Sequence, residues 1–334
     1  MKDIARDLDL SVVSVSKALR NHEDISAETR ERVLKRALEL DYQPNLAAKS
    51  LATGRSYLMG LVVPDLVHPF FSQVAKGASR VLRPHGYNLI ISSSEEDPDL
   101  ENEELRAMIA RNLDVCMVSS AQRSPDTFRH FLKQKRRFIL VDRTFDDLDA
   151  HYVGTDDVAT GHLATGHLIE SGCRRIACIA GKEGSTSTQR VRGYVETLRA
   201  HGFNVPSEYI VTGRQMDNLS EVSAFEAMER LLDLNPRPDG VFCVNDPTAM
   251  GAMQAILERG LRIPQEIAVI GCGNVHYASQ LRVPLTSIDQ SSEGIGEAAA
   301  KLALNLMDSN RVLQEPKRII LEPRLVVRES TRRA

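Results

Sequence analysis

DIARDLDLSVVSVSKAL, residues 3–19, sets its apolar residues at helical spacing: Ile4, Ala5 and Leu8, then Val12, Val15 and Leu19. Asp9 and Leu10 fall between the two sets and predict a tight turn, and Ser11 offers a side-chain oxygen to open the helix that follows. Two short helices joined in this way make a helix-turn-helix, whose second helix enters the DNA major groove by its N-terminal end. Val15, Ala18 and Leu19 face the first helix, which turns Val12, Val13, Ser16 and Lys17 outward. Adjacent exposed valines suit contact with thymine methyl groups, although ordinary half-exposed packing would also account for them. Ser11, Ser14 and Ser16 can bond phosphates, and Lys17 can reach a guanine edge or a phosphate.

Further along the chain Val33, Ala37, Leu38 and Leu40 repeat the helical spacing, with Ser26 as an N-cap candidate and Glu28 and Thr29 in the first turn. Pro44 bars helical geometry at the residue before it, so this third helix is expected to stop around Asp41 to Gln43. The expected organisation is an all-α helix-turn-helix head over residues 1–43 and a hinge over 44–55. Net charge does not announce nucleic acid. The whole chain carries −3, and residues 1–55 hold ten Lys or Arg against nine Asp or Glu. A DNA role therefore rests on where the charges face, not on their sum.

The pattern changes near residue 55. From there short apolar runs alternate with helix-length amphipathic stretches: LMGLVVP, YNLIISSS, LDVCMVSS, RFILVDR, RRIACIAG, DGVFCVN and EIAVIGC. Such runs predict buried parallel strands in successive βαβ units. With the weaker HYVGTD, EYIVTG, PLTSID and KRIILEPRLVV, they exceed one comfortable sheet. The chain of 334 residues is also longer than the roughly 250–300 that a single core supports. The expected body, 56–334, is therefore α/β, with two doubly wound parallel-sheet lobes. Lobe 1 is expected over about 56–155 and 285–313, and lobe 2 over about 156–284 and 314–330. A ligand would sit between them, at the carboxyl ends of the strands.

VSVSKAL (13–19), ISAETRERVLKRALELDYQPNLAAKSLATGR (25–55) and GLVVPDLVHPFF (60–71) resemble, in order and spacing, the head, hinge and first lobe strand of the LacI/GalR family of bacterial repressors. The resemblance extends from residue 2 to about 328. It implies that Val12 and Val13 are the operator-reading pair, Lys17 the basic residue one turn later, and Ser26 and Thr29 phosphate contacts. In the hinge, Asn45 would cap a helix, Ala47 and Ala48 would allow close helix contact, and Leu51 would be the wedge that kinks a minor-groove step. Asp9 departs from the glycine usual in that turn, but aspartate also tolerates left-handed backbone.

In the body, GKEGSTSTQRVRGYVETLRAHG (181–202) resembles the family segment that sends an arginine into the cleft, here Arg190 ahead of Gly193 and Tyr194. VFCVNDPTAMGAM (241–253) places Asn245 and Asp246 at a helix start, where Asp246 could equally serve only as the cap. Phe70 and Phe71 match an aromatic position of lobe 1; Asp156 and Gln290 fall at the expected crossings between lobes. For these residues a structural role stands beside ligand contact. Sugar-responsive members carry an aspartate after the strand EIAVIGC; Gly273 occupies that place, next to Asn274. Either the effector is not a typical sugar, Asn274 substitutes, or the regulator is ligand-insensitive.

The implied function is a homodimeric, sequence-specific repressor of a pseudo-palindromic operator, controlled by a small-molecule effector. Other classes fit less well: the periplasmic-binding-protein-like body alone would suit a pure small-molecule binding protein, which the head and the missing signal peptide disfavour. Five scattered cysteines in apolar runs read as buried thiols, and His162 and His167, five apart, miss the spacing of a helical metal pair. No metal and no cofactor is expected, and no nucleophile–base pair or phosphate loop points to an enzyme. Ser14-Val15-Ser16-Lys17 spells the SxxK of serine acylases without its KTG or SDN partners. No window approaches a membrane span and MKDIARDLDL lacks the apolar stretch of a signal peptide, so the bacterial cytoplasm, in association with the nucleoid, is the expected address.

Overall fold

The structure is a computed structural model; it describes residues 1–19, 21–42, 50–51, 53–181, 184–212, 220–308 and 315–333. The chain divides into two compact units, residues 1–56 and 57–334, and the boundary coincides with the change of pattern near residue 55.

The first unit packs α1 (Lys2–Leu8), α2 (Val12–Leu19) and α3 (Ala27–Glu39) around Ile4, Ala5, Val15, Ala18, Val33 and Ala37. Asp9 takes the left-handed conformation at φ 54°, closing α1, and the Ser14 amide donates to Ser11 Oγ at 3.0 Å to open α2. Ser26 caps α3 by accepting the Thr29 amide at 3.2 Å. α3 ends at Glu39, sooner than Pro44 alone requires. Asp41 turns left-handed at φ 45°, which lets the Tyr42 amide reach back to the Ala37 carbonyl at 2.8 Å. Leu38 and Leu40, grouped with the core by periodicity, are exposed.

The second unit holds two six-stranded sheets. In the first, β2 (Asn88–Ser93), β1 (Leu58–Val63), β3 (Val115–Val118), β4 (Phe138–Val141), β5 (Tyr152–Thr155) and β11 (Arg318–Leu321) lie side by side and parallel. In the second, β7 (Ile210–Thr212), β6 (Ile176–Ala180), β8 (Gly240–Cys243), β9 (Ala268–Cys272) and β10 (Thr286–Asp289) are parallel, and β12 (Arg324–Val326) closes the edge antiparallel to β10. Between the strands run α4 (Pro69–Leu82), α5 (Pro98–Ala110), α6 (Asp126–Lys133), α7 (Asp157–Glu170), α8 (Ser185–Ala200), α9 (Ser220–Leu232), α10 (Asp246–Glu258) and α11 (Ser292–Asp308). Hydrophobic clusters cover both faces of each sheet, which is why the strands read as unbroken apolar runs.

The expected lobe limits need correction. Residues 286–289, assigned to lobe 1, form β10 and pair with β9 in the second sheet; 318–321, assigned to lobe 2, form β11 and pair with β5 in the first. The chain therefore crosses after Thr155, at Gln290, and between Leu321 and Arg324. Both errors arise because the apolar pattern marks a strand without saying which sheet it joins.

Candidate nucleic-acid interface and interlobe site

On α2 the side opposite the head core carries Val12 at 42% and Val13 at 65% exposure, while Val15 and Ala18 are buried. Both valines are therefore available for contact, as are Leu34 and Leu38 on α3, at 50% and 86% exposure. Ser11 and Ser14 are joined by their hydroxyls at 2.8 Å, as are Ser26 and Thr29 at 2.9 Å. Ser16 is half-buried. The Lys17 ammonium donates to Asp24 Oδ2 at 2.8 Å. That hydrogen bond holds the Asp24 carboxyl below its ordinary pKa. Ser50 and Leu51 are helical and Leu51 is 90% exposed. Asn45 and Ala48 lie outside the described residues.

In the body, α7 follows β5 and α8 follows β6. These two helices touch along their glycines: a Cβ on Gly161 would collide with the Arg190 carbonyl, and one on Gly193 with the Val158 carbonyl. The glycine three residues after Arg190 is thus what lets the arginine approach α7. Arg190 is 7% exposed; its Nε donates to Asp157 Oδ1 at 2.8 Å and its Nη1 to the Val244 carbonyl at 2.6 Å. Burial opposes its charge, yet the acidic groups around it, Asp157 and Asp142 among them, keep it protonated.

Asp142 stands in left-handed conformation, φ 63°, directly after β4. It is 8% exposed, and its carboxylate has no hydrogen-bond partner among the described residues. Burial, and then the Asp157 charge across the lobes, push its pKa up to about 7, against the opposite pull of Arg190 and Arg143. Burial likewise raises Asp157, with Arg190 pulling the other way. His68 belongs to the same group of charges. Burial lowers its pKa to about 4, with Arg190 and Arg143 adding to the effect, so the ring is neutral at pH 7. Its Nδ1 caps α4 by accepting the Phe70 amide at 3.3 Å. Arg143 forks onto Glu96 at 2.6 and 2.9 Å and reaches the Ser120 carbonyl at 3.2 Å. Carboxyl ends of strands from both sheets thus meet in one charged cluster.

The other expected cleft residues are placed differently. Asp156 is an exposed cap that accepts the Ala159 amide at 2.9 Å; the inward carboxylate is its neighbour Asp157. Asn245 caps α10. Asp246, offered as a cleft residue or a cap, is not the cap: it is fully buried, accepts Ser287 Oγ at 2.6 Å and the Val275 amide at 2.8 Å, and braces the turn after β9. Phe70 and Phe71 lie within the lobe 1 core. Gln290 is 3% exposed, and its side-chain nitrogen has no protein partner among the described residues. Gly273, at φ 126°, carries no carboxylate; the Asn274 amide is engaged at both ends, by Asp289 at 3.3 Å and Arg328 at 2.6 Å.

Residues 1–45 match the lacI family of bacterial regulatory proteins, and 165–331 a periplasmic binding protein-like domain. The transcriptional repressor CytR of Escherichia coli K12 is 30% identical over 333 residues, spanning 99% of this chain and 96% of its own. A probable repressor, ExuR of Bacillus subtilis, is 32% identical over 339 residues, spanning 100% and 98%. The chain belongs to the LacI family. Among solved structures, a complex of the transcriptional regulator CelR with cellobiose superposes with a TM-score of 0.74 at 28% identity, covering 98% of both chains. This LacI-family chain is accordingly a DNA-binding transcription regulator with an effector-binding body, and not an enzyme. Among the described residues no helix is long and apolar enough to cross a membrane, and no cluster of His, Cys, Asp and Glu could hold a metal. Sequence reasoning on this regulator missed His68, Asp142 and Asp157. A polar residue closing an apolar run, as in LVDR, was the available signal for Asp142.

Proposed function

We propose that this regulator is a homodimeric repressor that reads a pseudo-palindromic operator and is released or tightened by a small molecule held between its lobes, in the bacterial cytoplasm. The observation that carries the DNA half is the exposed Val12–Val13 pair on a helix whose opposite face is the head core. In this reading the valines meet thymine methyl groups, Lys17 a guanine edge, Ser11, Ser14, Ser16, Ser26 and Thr29 phosphates, and Leu51 a minor-groove step, with Asn45 and Ala48 completing the hinge.

The effector half rests on Arg190, Asp142 and His68, which bring charge and hydrogen-bonding capacity to the strand ends where α/β sheets bind ligands. Phe70, Phe71 and Gln290 then line or support that site, and Asp156 and Asn245 hold the helix starts around it. CelR binds cellobiose. With Gly273 in place of a carboxylate, this chain would grip a sugar differently or take another ligand.

Selection of bound duplexes from random DNA at fixed salt tests the first half. Two half-sites related by a dyad are expected; no enrichment, or a single asymmetric site, would refute the dimeric reading.

A further inference from the structure

Lys17 supplies the positive charge on the outward face of α2, and its ammonium is already engaged: Nζ sits 2.8 Å from Asp24 Oδ2. Asp24 is held there by the turn that follows α2. Asn21 is left-handed at φ 59°, the His22 amide returns to the Lys17 carbonyl at 3.0 Å, and Ile25 packs against the head core. From α3, Arg30 Nη2 reaches the His22 carbonyl at 3.0 Å and the Ile25 carbonyl at 3.4 Å, bracketing Asp24 on both sides. His22 Nδ1 lies 3.5 Å from the same carboxylate oxygen.

An exposed ion pair contributes at most about 1 kcal/mol to stability, so folding is a poor reason for this construction. Its consequence for DNA is larger. A lone lysine is drawn to any phosphate, because each neutralised phosphate releases counterions regardless of sequence. A lysine paired with a carboxylate presents almost no net charge. Moving the pair against a phosphate brings two anions together, whereas a guanine edge offers neutral acceptors that the two remaining ammonium protons can reach.

We propose that Asp24 is a positioning residue of the DNA interface, holding Lys17 in a neutral pair that favours base edges over phosphates and so raises operator specificity. This rests on the reading of the α2 outer face as the DNA surface.

The test measures the full-length protein on a selected operator and on a random-sequence duplex of equal length across a salt series. Asp24→Asn is expected to tighten random DNA about tenfold, to change operator binding far less, and to steepen the salt slope on random DNA by about one. Glu23→Gln removes the same charge from an exposed neighbour and controls for bulk attraction; it is expected to move both duplexes alike. If Asp24→Asn also moves both duplexes alike, the positioning role is wrong while the DNA face stands. If Lys17→Met leaves operator affinity and the specificity ratio unchanged, the face itself is misread and the proposal falls with it.

Discussion

Val13 in the head is 65% exposed, whereas Arg190 in the body is 7% exposed and held at both ends of its guanidinium. The head displays its candidate chemistry on the outside of a small core, where Val12, Val13 and Leu51 do little to hold that core together even though Ser11 and Ser26 also cap helices. The body does the reverse, placing a charged group within the packing between two helices, where the charge of Asp142 from the other lobe acts on it. A surface reader can be altered with little cost to folding, while a buried reader cannot. The two regions should therefore respond to substitution in opposite ways, one in binding and the other in stability.

The largest effect is expected at Arg190. Arg190→Met leaves Asp157 as a buried, uncompensated carboxylate, a change that costs about 3–5 kcal/mol in comparable pairs. Urea unfolding of the full chain checks this, and Asp157→Leu in the same molecule should restore part of the loss. A loss below about 1 kcal/mol would mean that the pair is well hydrated and that the contrast with the head is false.

That contrast also separates what could be read in the sequence from what could not. The helix-turn-helix was legible because local rules fix it: Ile4, Val15 and Val33 sit at helical spacing, Asp9 tolerates the left-handed turn, and Ser11 and Ser26 cap. The strand runs were legible for the same reason, although KRIILEPRLVV, read as one run, holds both β11 and β12. Sheet membership was not, since nothing in TSID (286–289) or RIIL (318–321) says which sheet each joins, and they join different ones. The inward carboxylate was misplaced by a single residue, because only the N-cap geometry decides that Asp156 faces water and Asp157 faces Arg190. Asp142 and His68 approach Arg190 from the other lobe and from distant parts of the chain, a proximity no local rule reaches. The Lys17–Asp24 pair spans only seven residues, yet it depends on where Arg30 pins the intervening turn.

A smaller effect, on the head side, is expected at Leu51. With 90% of its surface in water it contributes little to folding, so Leu51→Ala should leave the melting curve in place. As a wedge between base pairs it should matter only on a site that is kinked. Operator affinity is expected to fall by about 2 kcal/mol, roughly thirtyfold, with random DNA almost unaffected. Equal losses on both duplexes would remove the wedge role and leave Leu51 as a hinge residue.

The smallest effect is also the one most dependent on conditions. Asp142 has a pKa raised to about 7 by burial and by Asp157, well above that of an aspartate in the unfolded chain. Near pH 4 the carboxyl is protonated in the folded protein and costs nothing. Between about pH 4 and 7 the unfolded chain releases its proton while the folded chain retains one, so the folded state loses stability relative to the unfolded as pH rises. Above 7 the folded protein carries the ionised group, which has no hydrogen-bond partner among the described residues, and the whole penalty is present. Asp142→Asn removes the ionisation but keeps a buried polar group, so a gain of about 1–2 kcal/mol is expected at pH 8, shrinking towards zero near pH 4. Thermal melts of both proteins across that range measure it. A gain that is independent of pH would point to relief of backbone strain at φ 63° or to packing instead of charge, and a loss at pH 8 would show that the carboxylate has a partner that stabilises its ionised form.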